Sequence, residues 1–415
     1  MTAGGPALTR RTILGGAAGA LFAPHIASAQ AKTLRIGVPT ILSGRVAQLG
    51  NSSRNGMTIE IDRINAQGGL AGRPIEIVLR DSKGQAQESA RNARELVNTE
   101  GCEIILDAES SAGAFAVNEV ARDLGVLCIH TNSETSSLTA DPKIRLPNAF
   151  RCCRQGVHDS VVGGSYAARI GEQQKLAKWA TVSPDYAYGR DTTAQFLENL
   201  KHFRPDIELA TQSWPKLFQP DYTDNITKIM QAKPDALYTA LWAGDLVAFI
   251  DQANIYALFG QTKLFAVNMA DYTTLTAVKN LPQGIHSGDR YLSTFPDTPG
   301  NREFGETYRK RFGDNPTNWS WENATAVRFL EAAAKKAGSA DGKKLAEALP
   351  GLTIESPFGT KGTITMRAED HTIVDYAIGW GTTVPKPPYV VDIQPGDWGQ
   401  IVELETEWKK KNGYA

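Results

Sequence analysis

The sequence predicts an α/β protein of two lobes, each a parallel sheet covered by helices, and three observations carry that expectation. Short apolar runs alternate with stretches of helical period, in two successive series of similar size. The 415 residues exceed what one ordinary core fills. Several of the apolar runs end in polar turns, which is where open parallel sheets bind ligands.

Composition narrows the class of protein. An apolar share of 41% and a charged share of 21% describe a globular chain, and a formal net charge of −1 gives no electrostatic footprint for nucleic acid or an anionic membrane. The first 29 residues stand apart. Thr9-Arg10-Arg11-Thr12-Ile13-Leu14, a small-residue apolar run to Phe22, and Ala27-Ser28-Ala29 read as a twin-arginine signal peptide cleaved after about Ala29. The expected product is periplasmic, with no cysteine behind the cleavage site to take a lipid anchor and no direct membrane insertion. Four cysteines are too few for a disulfide scaffold, although Cys102 and Cys128 sit on consecutive strands and are candidates to pair. Metal-ligand spacings are missing, so neither a metal nor another cofactor is expected.

The first series opens with a buried strand, Leu34 to Val38, then a polar loop from Pro39 to Leu49. Met57, Ile61 and Ile64 share one helical face that stops at Gly68-Gly69. Ile75 to Leu79 is a strand, Gln85 to Val97 a helix, and Ile104 to Leu106 a strand that breaks into Asp107-Ala108-Glu109-Ser110-Ser111. After another helix, the strand Val126 to Ile129 ends in a second polar turn, His130 to Ser137. Ser110 and Ser111 open a helix, so its free N–H groups offer an anion site; the alternative is that the serines only cap that helix.

The second series runs from a helix at Val157 to Ile170 through strands at Trp179 to Val182, Ile207 to Thr211, Ala236 to Leu241 and Lys263 to Val267. Its strand ends, Ser183-Pro184-Asp185-Tyr186 and Trp242-Ala243-Gly244-Asp245, repeat the polar logic of the first. Beyond Ser287 come helices at Asn301 to Phe312, Trp321 to Ala337 and Lys343 to Leu349. Strands follow at Gly362 to Met366 and Thr372 to Trp380, then a proline-rich tail from Pro385 to Pro395. These are additions to the two lobes, and a chain crossing between lobes more than once makes a hinge.

Ile36-Gly37-Val38, the run from Ile64 to Glu76 (INAQGGLAGRPIE), Asp185-Tyr186-Ala187-Tyr188-Gly189-Arg190, Ala232-Lys233-Pro234-Asp235-Ala236 and Ser356-Pro357-Phe358-Gly359 are carried in order along nearly the whole chain. In these motifs the chain resembles the leucine/isoleucine/valine-binding-protein type of substrate-binding proteins that serve ABC importers. The resemblance implies the type I periplasmic binding fold, two doubly wound parallel-sheet lobes joined by a three-crossover hinge. The crossings are expected near Arg154, Ser287 and His371, so that residues 30–154 with 288–370 form lobe 1 and 155–287 with 371–415 form lobe 2. The implied partners are the membrane subunits of an ABC permease and a small-molecule ligand, a neutral or branched-chain amino acid or a related carboxylate; the alternatives are an aromatic acid or amide as the transported ligand, or a ligand sensor of the same fold.

Carried over by position, the implied ligand contacts are Leu49, Ser110, Ser111, Asn132, Ser133, Glu134, Tyr188, Trp242 and Asn268. Amino-acid binders of this type hold the ligand ammonium with an acidic residue just after the first crossover. Here the matching position is Gly156, with Arg154 beside it. Arg154 therefore either grips a ligand carboxylate or forms a hinge salt bridge. Glu109 and Glu134 face a donor-rich ligand, a cation or an internal base, or else point to solvent at the rim. Tyr186, Tyr188 and Trp242 either stack on the ligand or pack in the core. No G-x-S-x-G elbow, Walker loop or G-x-G-x-x-G after Val38 supports an enzyme.

Overall fold

The fold is described by a computed structural model covering residues 32–415 together with 1, 2 and 4. The signal peptide expected at residues 1–29 lies outside the described stretch. Among the described residues no helix is long and apolar enough to cross a membrane, and no cluster of His, Cys, Asp or Glu is arranged to hold a metal.

In chain order the first sheet and its helices are β1 (Leu34–Thr40), α1 (Ala47–Ala66), β2 (Ile75–Asp81), α2 (Ala86–Asn98), β3 (Ile104–Asp107), α3 (Ser111–Leu124), β4 (Leu127–His130), the short α4 (Ser137–Ala140) and β5 (Ala149–Arg151). The second part comprises α5 (Gly156–Gln174), β6 (Lys178–Val182), α6 (Ala187–Phe203), β7 (Glu208–Ser213), α7 (Thr223–Ala232), β8 (Ala236–Thr239), α8 (Ala243–Ile255), β9 (Lys263–Ala270), the short α9 (Tyr272–Leu275) and β10 (His286–Asp289). Then come α10 (Pro299–Phe312), α11 (Asn318–Ala337), α12 (Gly342–Ala348), β11 (Thr353–Glu355), β12 (Thr363–Met366), β13 (Ile373–Val374), β14 (Gly379–Thr383), β15 (Val390–Pro395) and α13 (Trp398–Lys411).

The first sheet is parallel in the order β2-β1-β3-β4-β5. The second contains the same arrangement again, β7-β6-β8-β9-β10, extended by the antiparallel strands β14 and β15. The protein is thus a two-lobed α/β molecule in which each lobe has one point where strand order reverses, between β1 and β3 and between β6 and β8. Central strands such as β3 and β4 are apolar and fully buried because helices cover both faces. On the first lobe α11 packs along α1, and the two backbones approach at Gly56, where a Cβ would lie 2.1 Å from the carbonyl oxygen of Ser320.

Strand pairing locates the chain's passages between sheets. β5 is followed by α5 of the second lobe, so the first passage occupies residues 152–155. Ser287 lies inside β10, still in the second sheet, and the chain leaves only at Arg290. The stretch expected as one strand from Thr372 to Trp380 is two. β13 closes a small antiparallel sheet with β12 and β11, whereas β14 joins the second lobe, and Asp375 between them has φ of 67°. The sequence shows an apolar run broken only by Asp375 because both halves are buried, in different sheets. The proline-rich tail also holds more structure than its composition suggests. β15 pairs with β14, and α13 docks through ion pairs, Glu405 with Arg367 at 2.6 Å and Lys409 with Asp370 at 2.7 Å.

The expected pairing of Cys102 with Cys128 does not form: all four cysteines are free and buried. Leu49 lies not in a loop but in the first turn of α1, which a 3-10 turn at Gly44–Val46 leads into.

Candidate functional site

The carboxyl ends of the two sheets face each other, and the turns at both reversal points border one cleft of about 500 Å³, counting the part open to solvent. Leu49 follows β1, Ser110 and Ser111 follow β3, and Asn132 and Glu134 follow β4. From the other lobe come Tyr186 and Tyr188 after β6, Trp242 after β8 and Asn268 on β9. Ligands of open parallel sheets bind at such reversal points, where adjacent turns diverge and leave a crevice. Here two crevices meet.

The first-lobe turns are held in place from below. At the ends of β3 and β4 the buried Asp107 carboxylate meets His130 Nδ1 at 2.6 Å, and His130 Nε2 lies 3.2 Å from Asn118 Oδ1. Ser133, expected as a ligand contact, instead sits beneath the cleft and donates to Ser111 Oγ at 3.2 Å. Ser110 occupies the N-cap of α3 and its side chain makes no cap hydrogen bond, so the first-turn N–H groups of α3 remain available at the cleft. Asn132 is tied to Ser53 at 3.1 Å and accepts from Asn323 at 2.9 Å.

Glu109 and Glu134 are both buried rather than pointing to solvent at the rim. Glu109 is fully buried under its turn, pointing away from the cleft with the hydroxyls of Ser82 and Ser89 as polar neighbours. Burial, and secondarily the charge of Asp107, pushes its pKa well above the usual carboxylate range. Glu134 does line the cleft, and it has an internal base: Arg290, just past β10, forms an ion pair with Oε1. Its second oxygen, Oε2, is buried without a partner, as is the indole Nε1 of Trp242.

Arg290 is shared. Its other terminal nitrogen bonds Asp159 Oδ2 on α5 at 2.8 Å, so one guanidinium joins the cleft to the hinge. Burial lowers its pKa to about 10, which leaves it charged at neutral pH. Arg154 does not reach the cleft. It pairs with Asp159 at 2.6 Å and lies over the ring of Tyr376, a structural role in the first passage. Glu322 on α11 accepts the Arg154 backbone N–H at 2.9 Å, and burial raises its pKa to about 8.

The second-lobe wall is aromatic. Tyr188 OH lies 3.0 Å from Asn268 Nδ2, which also reaches the carbonyls of Ala240 and Leu241. The Tyr186 and Tyr188 rings are 6.0 Å apart, and Trp242 meets Trp319 of α11 across the cleft at 6.1 Å. Asp271 also lines the cleft, but Oδ1 caps α9 through Thr273 N and Oδ2 accepts Asn318 N at 2.8 Å.

Arg290, Asp271, Asn318 and Trp319 are lining residues that the sequence reading missed. Arg290 and Asp271 obey the strand-end rule, since each follows a strand of the second sheet, and recognising β10 would have exposed the arginine. Asn318 and Trp319 open a helix with no strand before it, and no sequence signal marks them.

A cleft between two lobes, walled by aromatics and lined by hydroxyl, amide and ion-paired groups, has the make-up of a small-molecule binding site. The chain belongs to the periplasmic binding protein family, whose profile matches residues 33–378. Leu/Ile/Val-binding protein homolog 4 of Brucella abortus (strain 2308) is 24% identical over 381 residues, 86% of each chain. Among solved structures, an ABC-transporter solute-binding protein from Rhodopseudomonas palustris BisB5, in complex with 3,4-dihydroxybenzoic acid, superposes with a TM-score of 0.77 at 25% identity. That match covers 86% of this chain and 95% of the other. The amino acid ABC transporter substrate-binding protein from Pseudomonas fluorescens Pf-5 gives a TM-score of 0.74 at 20% identity, over 89% and 98%. The chain is a solute-binding protein of the ABC-transporter type, not an enzyme.

Proposed function

We propose that this protein, exported to the periplasm, captures a small aromatic carboxylate in its interlobe cleft and presents the closed form to an ABC permease. One observation carries the choice of ligand. Both carboxylates at the cleft are already engaged, Glu134 by Arg290 and Asp271 by two backbone N–H groups, while the N-terminus of α3 is unoccupied by any side chain of its own. An ammonium group therefore meets a neutralised wall, and a carboxylate meets Ser110, Ser111 and free N–H donors. Trp242, Tyr188 and Trp319 supply flat apolar surface for the ligand body. The Rhodopseudomonas relative, solved with a dihydroxybenzoic acid, supports the same reading.

A neutral branched-chain amino acid is the second reading. It is favoured by the unpartnered Oε2 of Glu134, which could accept an ammonium, and by the Brucella relative's name. Calorimetric titration with benzoate, 4-hydroxybenzoate, 3,4-dihydroxybenzoate, leucine, isoleucine and valine separates the two. We expect at least one benzoate to bind and Ser111→Ala to weaken it by roughly tenfold, the loss of one hydrogen bond to a charged group. Tighter binding of leucine, abolished by Glu134→Gln, would sink the aromatic assignment in favour of the second.

A further inference from the structure

We propose that Arg45 and Asp245 form a latch across the mouth of the cleft that stabilises the closed lobes whichever ligand is inside. The inference rests on the closing mechanism proposed above. Neither residue lines the cleft, yet they meet from opposite lobes. Arg45, in the turn before α1, places Nη1 3.3 Å from Asp245 Oδ1 and 3.0 Å from the carbonyl oxygen of Gln219. Asp245, in the first turn of α8, is 1% exposed, and its other oxygen accepts the backbone N–H of Phe218 at 2.7 Å. Arg45 is the only cation within ion-pair distance of that carboxylate among the described residues.

The surrounding shape fits a contact built for approach. A Cβ at Gly244 would stand 2.9 Å from Cβ of Arg45 and 3.2 Å from its carbonyl oxygen, so any side chain there would hold the lobes apart. On the same face the Phe218 ring covers Gly84 of the first lobe, 3.2 Å from where a Cβ would be. When the lobes part, Asp245 keeps its backbone donor but loses its cation, so the closed state holds an ion pair that the open state lacks. The closed state gains that difference regardless of cleft contents. Apparent affinity scales with the population of the closed state, so the latch acts on every ligand by one common factor.

Two measurements test this. In ligand-free protein, X-ray scattering is expected to give a larger radius of gyration for Arg45→Ala than for wild type, with Arg45→Lys restoring much of the difference. Equal radii for wild type and a folded Arg45→Ala overturn the latch even if no probe ligand binds, so this arm is independent of the ligand assignment. With 4-hydroxybenzoate and leucine as probes, Arg45→Ala is expected to weaken whichever binds by roughly tenfold, mainly through faster release, with Arg45→Lys recovering much of the loss. A change of less than twofold, or weakening of one probe but not another that also binds, overturns it. If neither probe binds wild type, the ligand assignment fails and the scattering comparison alone decides the latch.

Discussion

Arg290 shows how much one side chain carries at this site. Its two terminal nitrogens serve carboxylates that belong to different tasks, Glu134 at the cleft and Asp159 on α5. Taking one member from a buried charge pair costs about 3–5 kcal/mol, mostly because the remaining charge is stranded. Arg290→Met is therefore expected to lower stability by about that amount in denaturant unfolding. Adding Glu134→Gln removes one of the stranded acids and should recover part of the loss. Equal stability of the single and double variants would mean that the Arg290 contact to Glu134 contributes nothing. The same residue shows why site chemistry was only half legible. Glu134 is conspicuous in the chain, but its partner lies 156 positions away, and nothing local announces that the acid is already neutralised.

At the scale of elements, the second sheet contains a pH-sensitive joint. His286 on β10 stacks on Phe265 of β9 with centroids 4.6 Å apart, and its Nδ1 meets Tyr166 OH of α5 at 3.0 Å. Burial lowers its pKa to about 4, below the value near 6.5 of an exposed histidine. A depressed histidine pKa means that the unfolded chain takes up the proton first. The stabilisation is thus complete above about pH 6.5 and is lost as pH falls through about 4, up to about 3 kcal/mol. The difference in melting temperature between wild type and His286→Gln should shrink across that window. A difference constant with pH would remove His286 from the account.

Elements with strong local periodicity were legible, as the alternation up to β9 shows, whereas the three-residue β5 was not read. Those held by distant partners were not: β14 is a five-residue strand with two glycines, and α13 buries little beyond Ile401 and the ion-paired Glu405. Cleft turns after β1, β3, β4, β6 and β8 followed from the strand-end rule because each strand was recognised. The turn after β10 did not, because no strand was read there and Ser287 was expected only as a crossing.

For the whole molecule, the contacts of Asp271 with Asn318 and of Trp242 with Trp319 describe lobes that touch. A ligand can favour this arrangement only by binding it more tightly than the open one. X-ray scattering is expected to show a larger radius of gyration for ligand-free protein than for protein saturated with its ligand. Superimposable curves in the two conditions would argue against domain closure on binding. Thermal unfolding should move in parallel, since ligand at 100 times its dissociation constant adds about 2.7 kcal/mol to the folded state.

The four thiols bear on how such motion can be followed. Cys102, Cys128, Cys152 and Cys153 are all buried, and desolvation raises each pKa, so the nucleophilic thiolate is scarce at neutral pH. To a maleimide dye the folded molecule is nearly blank. A single cysteine introduced at the cleft rim would then carry an environment-sensitive fluorophore without first stripping the native sulfurs. The wild-type background is already a chassis for a reagentless optical sensor of its own solute.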